Sequence, residues 1–200
     1  TKQSKAALPA VYDLRGKMPS VRNQNPFGNC WTHSAMAATE SNLITKGGAK
    51  SADVYLSEWY LTYFAYKSTP AELSFTYTSP DYYNAGGDDW RAVALLARGT
   101  GSVTDKEVKT PAAIGEIYAP SVMKRSYKLV NALYLGNGGL RENQLNETKR
   151  RELIKEAIRT KGAVSVGIFW DDEAYDGTNM TFNSSNNYQT VGTNHAVTIV

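Results

Sequence analysis

Helical periodicity fills the first half of the chain and strand-like runs close it, and this order constrains the fold more than any other feature. Apolar residues recur at helical spacing from about residue 29 to the glycine pair at 47–48. Further helices are predicted over 57–66, 88–98 and 147–160, strands over 127–135, 163–170 and 191–200, and a loop over 171–190. Helices that precede strands favour an α+β protein over a doubly wound parallel sheet.

The composition is that of an ordinary globular chain. Of 200 residues, 42% are hydrophobic and 20% charged, and the net charge is only +3. The basic run at 149–151 is followed by acidic residues, which is typical of a solvated helix face, so no nucleic-acid partner is expected. No apolar run is long enough to predict a membrane span. The N-terminus has no basic-then-apolar leader, so we expect any secretion signal to have been removed or never to have existed.

Cys30 is the only cysteine in the sequence. A single cysteine excludes internal disulfides and zinc sites built from paired cysteines. A lone cysteine is ordinarily a small buried apolar residue, so its neighbours must argue for any chemistry. His33 lies three residues later and could share a metal with Cys30, but two ligands are too few for a site. We therefore expect a structural His33, no metal and no other cofactor.

The residues around Cys30 match what a thiol needs in order to attack a carbonyl. Cys30 lies where a loop containing Gly28 meets the predicted helix, whose dipole stabilises a thiolate. The backbone N–H of Cys30 and the side-chain amide of Gln24, six positions earlier, can donate to an oxyanion. His195 is the better placed of the two histidines to act as the base, because it begins a strand-like run.

These motifs resemble the papain family of cysteine peptidases. Gln24, the G-x-C-W of 28–31 and the Asn-His-Ala of 194–196 follow the family's own order. Three further segments are similar to family landmarks: Leu56-Ser57-Glu58, Gly86-Gly87 followed by Trp90, and Ala163-Val164-Ser165-Val166. Together the landmarks span about 24 to 200.

The resemblance implies a papain-like, two-lobed α+β fold within one domain, 1–200. Its helical lobe, around a central helix, would occupy about 22–105, and an antiparallel β-barrel-like lobe about 106–200. The final strands of that lobe are missing from this chain, which would leave an exposed sheet edge. We therefore expect a fragment, or a fold that a separate C-terminal chain completes.

The resemblance also implies residue roles and a peptide or protein substrate. Cys30 becomes the nucleophile, His195 the general base and then the general acid, and Gln24 an oxyanion donor. Gly87 would bond the backbone of an extended peptide, and Asn194 would hold it through its carbonyl. The implied substrate-binding residues are Gly86, Gly87, Asp88, Trp90, Val164, Asn194 and Ala196. Of these, Val164, Ala196 and Asp88 would line the pocket for the side chain two positions before the cut.

Three features depart from the family pattern. No asparagine of an Asn-Ser-Trp segment follows His195, so the residue that orients the histidine is missing from this chain. Phe27 and Asn84 stand where common members have paired cysteines, so packing must replace that link. The disulfide-poor sequence, with Asp-Leu-Arg at 13–15, resembles the bacterial exported branch, which implies a secreted or cell-surface protein and leaves a cytoplasmic one open.

Several alternatives stay open at this point. Asp88 and Asp89 either form an acidic pocket for Lys or Arg substrates or cap the helix that starts there. An endopeptidase is the favoured function. The segment 56–61 also resembles the aminopeptidase-like branch that contains bleomycin hydrolase, which would make the protein an exopeptidase. A catalytically silent peptide-binding module and a related Cys-His transferase are the remaining alternatives.

Overall fold

The computed structural model describes residues 8–66, 81–120, 126–135, 147–186 and 191–200. In these ranges four α-helices precede four short strands, which confirms an α+β protein. The elements are α1 (Cys30–Gly47), α2 (Glu58–Tyr66), α3 (Asp89–Ala97), α4 (Glu147–Lys161), β1 (Val164–Ile168), β2 (Tyr175–Asp176), β3 (Thr181–Phe182) and β4 (His195–Ile199).

Local side-chain and backbone chemistry sets the helix ends as the sequence predicts. Gly48 ends α1 with a φ of +67°, a left-handed conformation that glycine adopts without the clash of a Cβ atom. At the start of α2 the Ser57 hydroxyl accepts from the N–H of Tyr60 at 3.0 Å. At the start of α3 the Asp88 carboxylate accepts from the N–H of Arg91 at 2.7 Å. Both side chains satisfy backbone donors that a helix leaves free at its first turn.

The strands form two antiparallel pairs in the described ranges, without a closed barrel. β1 pairs with β4, so that Val164 lies opposite Ile199 and Ile168 lies opposite His195. β2 and β3 form a small hairpin inside the stretch predicted as a loop over 171–190, of which 187–190 lie outside the described residues. An Asp-Gly turn signal at 176–177 was available in the sequence for this hairpin.

The strand predicted over 127–135 is wrong. Tyr127 makes a single bridge to Ser102, and no strand continues from it through 135. The exposed fractions of Val130 and Leu133 are 97% and 65%, so the alternating apolar residues do not mark one buried face. A strand needs a neighbour for its backbone groups, and the described part of the chain provides none beyond that bridge.

Two groups of buried side chains hold the β1–β4 pair. The larger lies among α1, α2 and α3 and is rich in aromatic residues; Ala196 of β4 packs against it. The smaller contains Leu14 and Ile158, with Val164 and Ile199 of the strand pair packed on it. Among the helices described, none is both long and apolar enough to cross a membrane.

A buried cluster of three charges joins the loop before α1 to α1 and α2. Arg22, with 11% of its side chain exposed, lies between Glu40 and Glu58, each 1% exposed. Its NH1 and NH2 groups donate to the two oxygens of Glu40 at 2.7 and 2.9 Å. Its Nε lies 2.5 Å from Glu58 Oε1 as an ion-pair contact without the alignment of a hydrogen bond. Burial raises the pKa of Glu58 from 4.5 to about 7.

Removal of the Glu58 charge should change how stability depends on pH. A carboxyl group with a raised pKa in the folded state favours folding below pH 4.5 and loses that contribution as pH rises towards 7. Glu58→Gln should therefore gain stability relative to the wild type as pH rises from about 4.5 to 7, by on the order of 3 kcal/mol. Urea unfolding of both proteins at several pH values measures this difference. A difference that is constant with pH would show that Glu58 does not titrate in this interval.

Candidate active site

Cys30 is the first residue of α1, at the end where the backbone N–H groups are free. Its thiol is half-buried and is not in a disulfide. In the described part of the chain the N–H of Cys30 has no hydrogen-bond partner, whereas those of Thr32 and His33 both reach the Asn29 carbonyl. A free N–H beside the sulfur is a donor that an oxyanion formed at that sulfur can use.

Gln24 lies in the loop that leads into α1. Its Nε2 donates to the Phe27 carbonyl at 3.0 Å, and the Phe27 N–H in turn donates to the Gln24 carbonyl at 2.9 Å. These two bonds fold residues 24–27 into a turn. A side-chain amide carries two N–H donors, so one remains for a further acceptor.

The loop before Cys30 is held to Tyr83 and Asn84 without a covalent bond. Gly28 donates its N–H to the Asn84 side chain at 2.9 Å, and the rings of Phe27 and Tyr83 meet edge to face at 6.1 Å. A Cβ atom on Gly28 would lie 3.1 Å from the Asn84 Cα, so glycine permits this approach. These contacts occupy the positions for which the sequence predicts packing in place of a disulfide.

The glycine pair lies against the residue that follows Cys30. A Cβ atom on Gly87 would lie 2.4 Å from the ring of Trp31, which is buried. The Gly86 carbonyl accepts from the hydroxyl of Tyr66 at 2.5 Å. Only a glycine lets this backbone pass so close to the indole, and the pair therefore lies near the start of α1.

Hydrogen bonds between α1 and the strand pair fix the direction of β4. The Ser34 hydroxyl donates to the Val197 carbonyl at 2.5 Å, and seven residues further along α1 the Ser41 hydroxyl accepts from the N–H of Ala163 at 2.8 Å. Ala163 precedes β1, whose start pairs with the end of β4. β4 therefore runs in the same direction as α1.

This direction brings Cys30 and His195 to the same end of the molecule. Cys30 is four helical residues before Ser34, and His195 is two strand residues before Val197. Both steps span about 6 Å, so each residue extends about equally far beyond the Ser34–Val197 contact. Cys30 and His195 therefore lie at the same end of the α1–β4 contact, while their action as a pair stays a prediction.

His195 lies beside an aromatic group in which the Trp170 ring is stacked on that of Phe182. Its ring centre is 5.8 Å from that of Trp170, edge to face. Partial burial lowers the pKa of His195, which favours the neutral ring that accepts a proton. In the described residues neither ring nitrogen of His195 has a hydrogen-bond partner.

The side chain of Asn194 is hydrogen-bonded to the backbone of Trp170. Its side chain accepts from the Trp170 N–H at 2.5 Å and donates to the Trp170 carbonyl at 2.9 Å. Its own N–H donates to the Ile168 carbonyl at 3.0 Å. The aromatic group is therefore tied to the residue directly before His195.

The acidic residues at the start of α3 both have structural partners. Asp88 caps the helix, as one of the two interpretations predicts, whereas Asp89 accepts from the Ser165 hydroxyl at 2.5 Å. Trp90 is 60% exposed and stacks on Tyr134 with the ring centres 3.9 Å apart. No pattern in the sequence predicted the stacking of Trp90 on Tyr134.

Val164 is not brought near Ala196. It pairs with Ile199 at the far end of the sheet, and its side chain packs on the smaller core group. The residue opposite Ala196 is Gly167, three positions further along β1. The sequence could not predict that Gly167 lies opposite Ala196, because the motif at 163–166 says nothing about the register of the strand pair.

His33 is a partly buried, neutral residue on α1. Burial lowers its pKa from 6.5 to about 4, and its Nδ1 lies 3.2 Å from the Asn29 carbonyl. No group of three or more metal-binding side chains occurs in the ranges described, and His33 has no such partners there.

Comparisons with known proteins agree with this fold. The chain resembles the cysteine protease and lectin-like domains of Cwp84 from Clostridium difficile, at 22% identity and a TM-score of 0.69, over 94% of this chain and 38% of that structure. It is also similar to digestive procathepsin L2 from Tenebrio molitor, at 22% identity and a TM-score of 0.64, over 99% of this chain and 55% of the other. Bromelain from Ananas comosus, with a bound inhibitor, matches at 23% identity and a TM-score of 0.60, over 92% and 70%.

The chain spans 42% and 38% of the two Cwp84 structures that it matches. None of the curated proteins compared gives a match. The family model described as papain family cysteine protease matches residues 8–200. With the cysteine at the head of the central helix and the histidine at the adjacent strand end, the chain belongs to the papain family of cysteine proteases.

Proposed function

We propose that the protein hydrolyses peptide bonds through a covalent acyl intermediate on Cys30, and that it acts as an endopeptidase. The observation that carries this proposal is the common end of α1 and β4, where Cys30 and His195 are the first residues of their elements. A cysteine nucleophile needs a base within reach and donors for the developing negative charge. The family match and this geometry support that arrangement.

Each step of the reaction uses a residue of this chain. His195 takes the thiol proton, and the Cys30 sulfur attacks the peptide carbonyl carbon to form a tetrahedral oxyanion. The free N–H of Cys30 and the remaining amide donor of Gln24 stabilise that oxyanion. When the C–N bond breaks, His195 returns the proton to the leaving amine. A water molecule, deprotonated by His195, then attacks the thioester and releases the carboxylic acid and the free thiol.

The substrate would lie along the glycine pair. The backbone at Gly86 and Gly87 passes beside Trp31, so an extended peptide that bonds to Gly87 would present its carbonyl close to Cys30. We place Asp88 and Trp90 at the edge of this surface, and Asn194 on the side of His195. Gly167 joins Ala196 in the proposed pocket in place of Val164, because these two residues lie opposite each other in the sheet.

Labelling of the single thiol tests the proposal. In the native protein an epoxide-type thiol trap should modify Cys30 rapidly, because in the proposed arrangement His195 takes the thiol proton; after unfolding in urea the reaction should be much slower. Mass spectrometry of the intact protein gives the rate without interference, since Cys30 is the only cysteine. Cys30→Ser is the control and should take up no label.

The same experiment separates the alternatives. Native protein that is not labelled faster than unfolded protein would indicate a silent peptide-binding module. If labelling occurs, peptides with a blocked N-terminus distinguish the enzyme types, because an aminopeptidase cannot cleave them. Transfer of the acyl group to added amines in place of hydrolysis would indicate a transferase.

An exported location is part of the proposal. The clostridial protein that the chain resembles is described as associated with a surface layer, and the sequence resembles the exported bacterial branch. The division into lobes at about 105 remains a prediction.

A further inference from the structure

Every hydrogen bond between α1 and β4, both of which lie wholly in the described ranges, involves Ser34. Its hydroxyl donates to the Val197 carbonyl at 2.5 Å. The Thr198 hydroxyl lies 3.3 Å from the Ser34 hydroxyl and 3.4 Å from the Ser34 carbonyl. Ser34 is only 2% exposed, so water does not compete for these bonds. The contact between the helix that carries Cys30 and the strand that carries His195 therefore has one polar centre.

The Ser34 hydroxyl is also held from the side of β1. The oxygen of Ser165 on β1 lies 2.6 Å from the Ser34 hydroxyl. Ser165 also lies 2.5 Å from a carboxylate oxygen of Asp89, the first residue of α3. Asp89, Ser165, Ser34 and the Val197 carbonyl thus form a chain of short contacts across four elements.

The number of protons available to these groups decides which atom donates in each hydrogen bond. A carboxylate only accepts, so the proton of Ser165 is committed to Asp89 and its oxygen faces Ser34 as an acceptor. The single proton of Ser34 is then shared between the Val197 carbonyl and the Ser165 oxygen. Asp89 and Ser165 therefore orient the Ser34 hydroxyl, which is hydrogen-bonded to β4.

Apolar packing alone would not determine the position of β4 along α1. Ala196 packs on the larger core group and Ile199 on the smaller one, and apolar contacts have no directional preference. A short buried hydrogen bond depends steeply on distance and angle. Cys30 and His195 lie a short distance beyond the Ser34–Val197 bond. A shift of β4 along α1 would therefore change the distance between the Cys30 sulfur and the His195 imidazole directly.

We propose that Ser34 is a positioning residue, which sets the place of His195 relative to Cys30 without touching the reacting atoms. This inference rests on the proposed function. It assigns Ser165 and Asp89 the task of holding the Ser34 hydroxyl, so that Asp89 serves the alignment of the site.

Alkylation of Cys30 by iodoacetamide, measured from pH 4 to 9, tests the proposal together with peptide hydrolysis. Ser34→Ala should lower kcat by roughly 10- to 100-fold, since small misplacements of catalytic groups have such effects, while KM stays within about twofold. Alkylation should also slow by a similar factor across this pH range, because a displaced imidazole takes the thiol proton less readily. Ser165→Ala, which leaves the Val197 bond possible, should change both quantities in the same direction but less.

Thr39→Ala is the matched control. Its hydroxyl also belongs to α1, but it donates to the Ala35 carbonyl at 2.8 Å within the helix, so both profiles should stay as in the wild type. A Ser34→Ala protein that melts like the wild type and keeps the wild-type alkylation profile would overturn the inference, as would a loss of stability without a change in that profile. If Ser34→Ala does not fold, the Ser165→Ala profile decides. Slow alkylation of the wild type itself would instead overturn the proposed function.

Discussion

Replacement of Arg22 by methionine should lower the free energy of unfolding by about 3 to 5 kcal/mol at neutral pH. Methionine keeps most of the length of the side chain but leaves Glu40 and Glu58 without a counter-charge, each with only 1% of its side chain exposed. The two acids then repel each other in a site from which water is excluded. Chemical unfolding of the variant and the wild type measures the loss.

The pH dependence of the Arg22→Met variant identifies the cause of this loss. Burial raises the pKa of Glu58 to about 7 while Arg22 is present, and loss of that positive charge raises it further, so a proton can neutralise the unpaired acid as pH falls. The loss should therefore be smaller at pH 6 than at pH 8. Addition of Glu40→Gln and Glu58→Gln to Arg22→Met should restore part of the stability, because the uncompensated charges are removed.

Arg15 supplies a matched control, since it also pairs with an acid, Asp13, but at the surface. With 78% of its side chain exposed, Arg15→Met should leave the unfolding transition where it is. Equal effects of the two substitutions would contradict the assignment of the stabilising role to the buried cluster.

Replacement of His195 by alanine should reduce peptide hydrolysis by about 10²- to 10⁴-fold, the usual contribution of a general base. The loss should appear mainly in kcat, because in the proposed mechanism His195 acts on the proton of Cys30 and not on substrate binding. Initial rates with an N-terminally blocked peptide, together with a thermal melt of the variant, measure this effect.

The chain contains one other histidine for comparison. His33 lies one turn after Cys30 and burial keeps it neutral, with a pKa of about 4. His33→Phe should therefore change the rate far less than His195→Ala, even if it changes stability. A loss of activity that is equal in the two variants would contradict the assignment of the base to His195.

The sequence predicted the helix limits well because single residues set them. Gly48 and Asp88 act on the backbone next to them, and that chemistry is visible in a few letters of sequence. The motifs also predicted Cys30 at the start of a helix and His195 at the start of a strand, and both residues lie there. Both kinds of prediction depend on local pattern.

Features that depend on distant partners could not be predicted. The alternating residues from Tyr127 fit a half-buried strand, yet only a neighbouring strand could have made one. Nothing near Arg22 in the sequence marks it as buried between two acids. The register that brings Gly167 opposite Ala196, and Val164 opposite Ile199, exists only in the folded sheet, so the sequence could not predict it.

The contact between Gly28 and Asn84 has a consequence for how this protein tolerates reducing agents. A thiol enzyme works only while its sulfur is kept from oxidation, and reductants that protect it also open any cross-link nearby. Here the loop beside the nucleophile is fastened by an amide and by aromatic rings, which reductants do not touch. Strongly reducing conditions should keep Cys30 active and leave its loop closed.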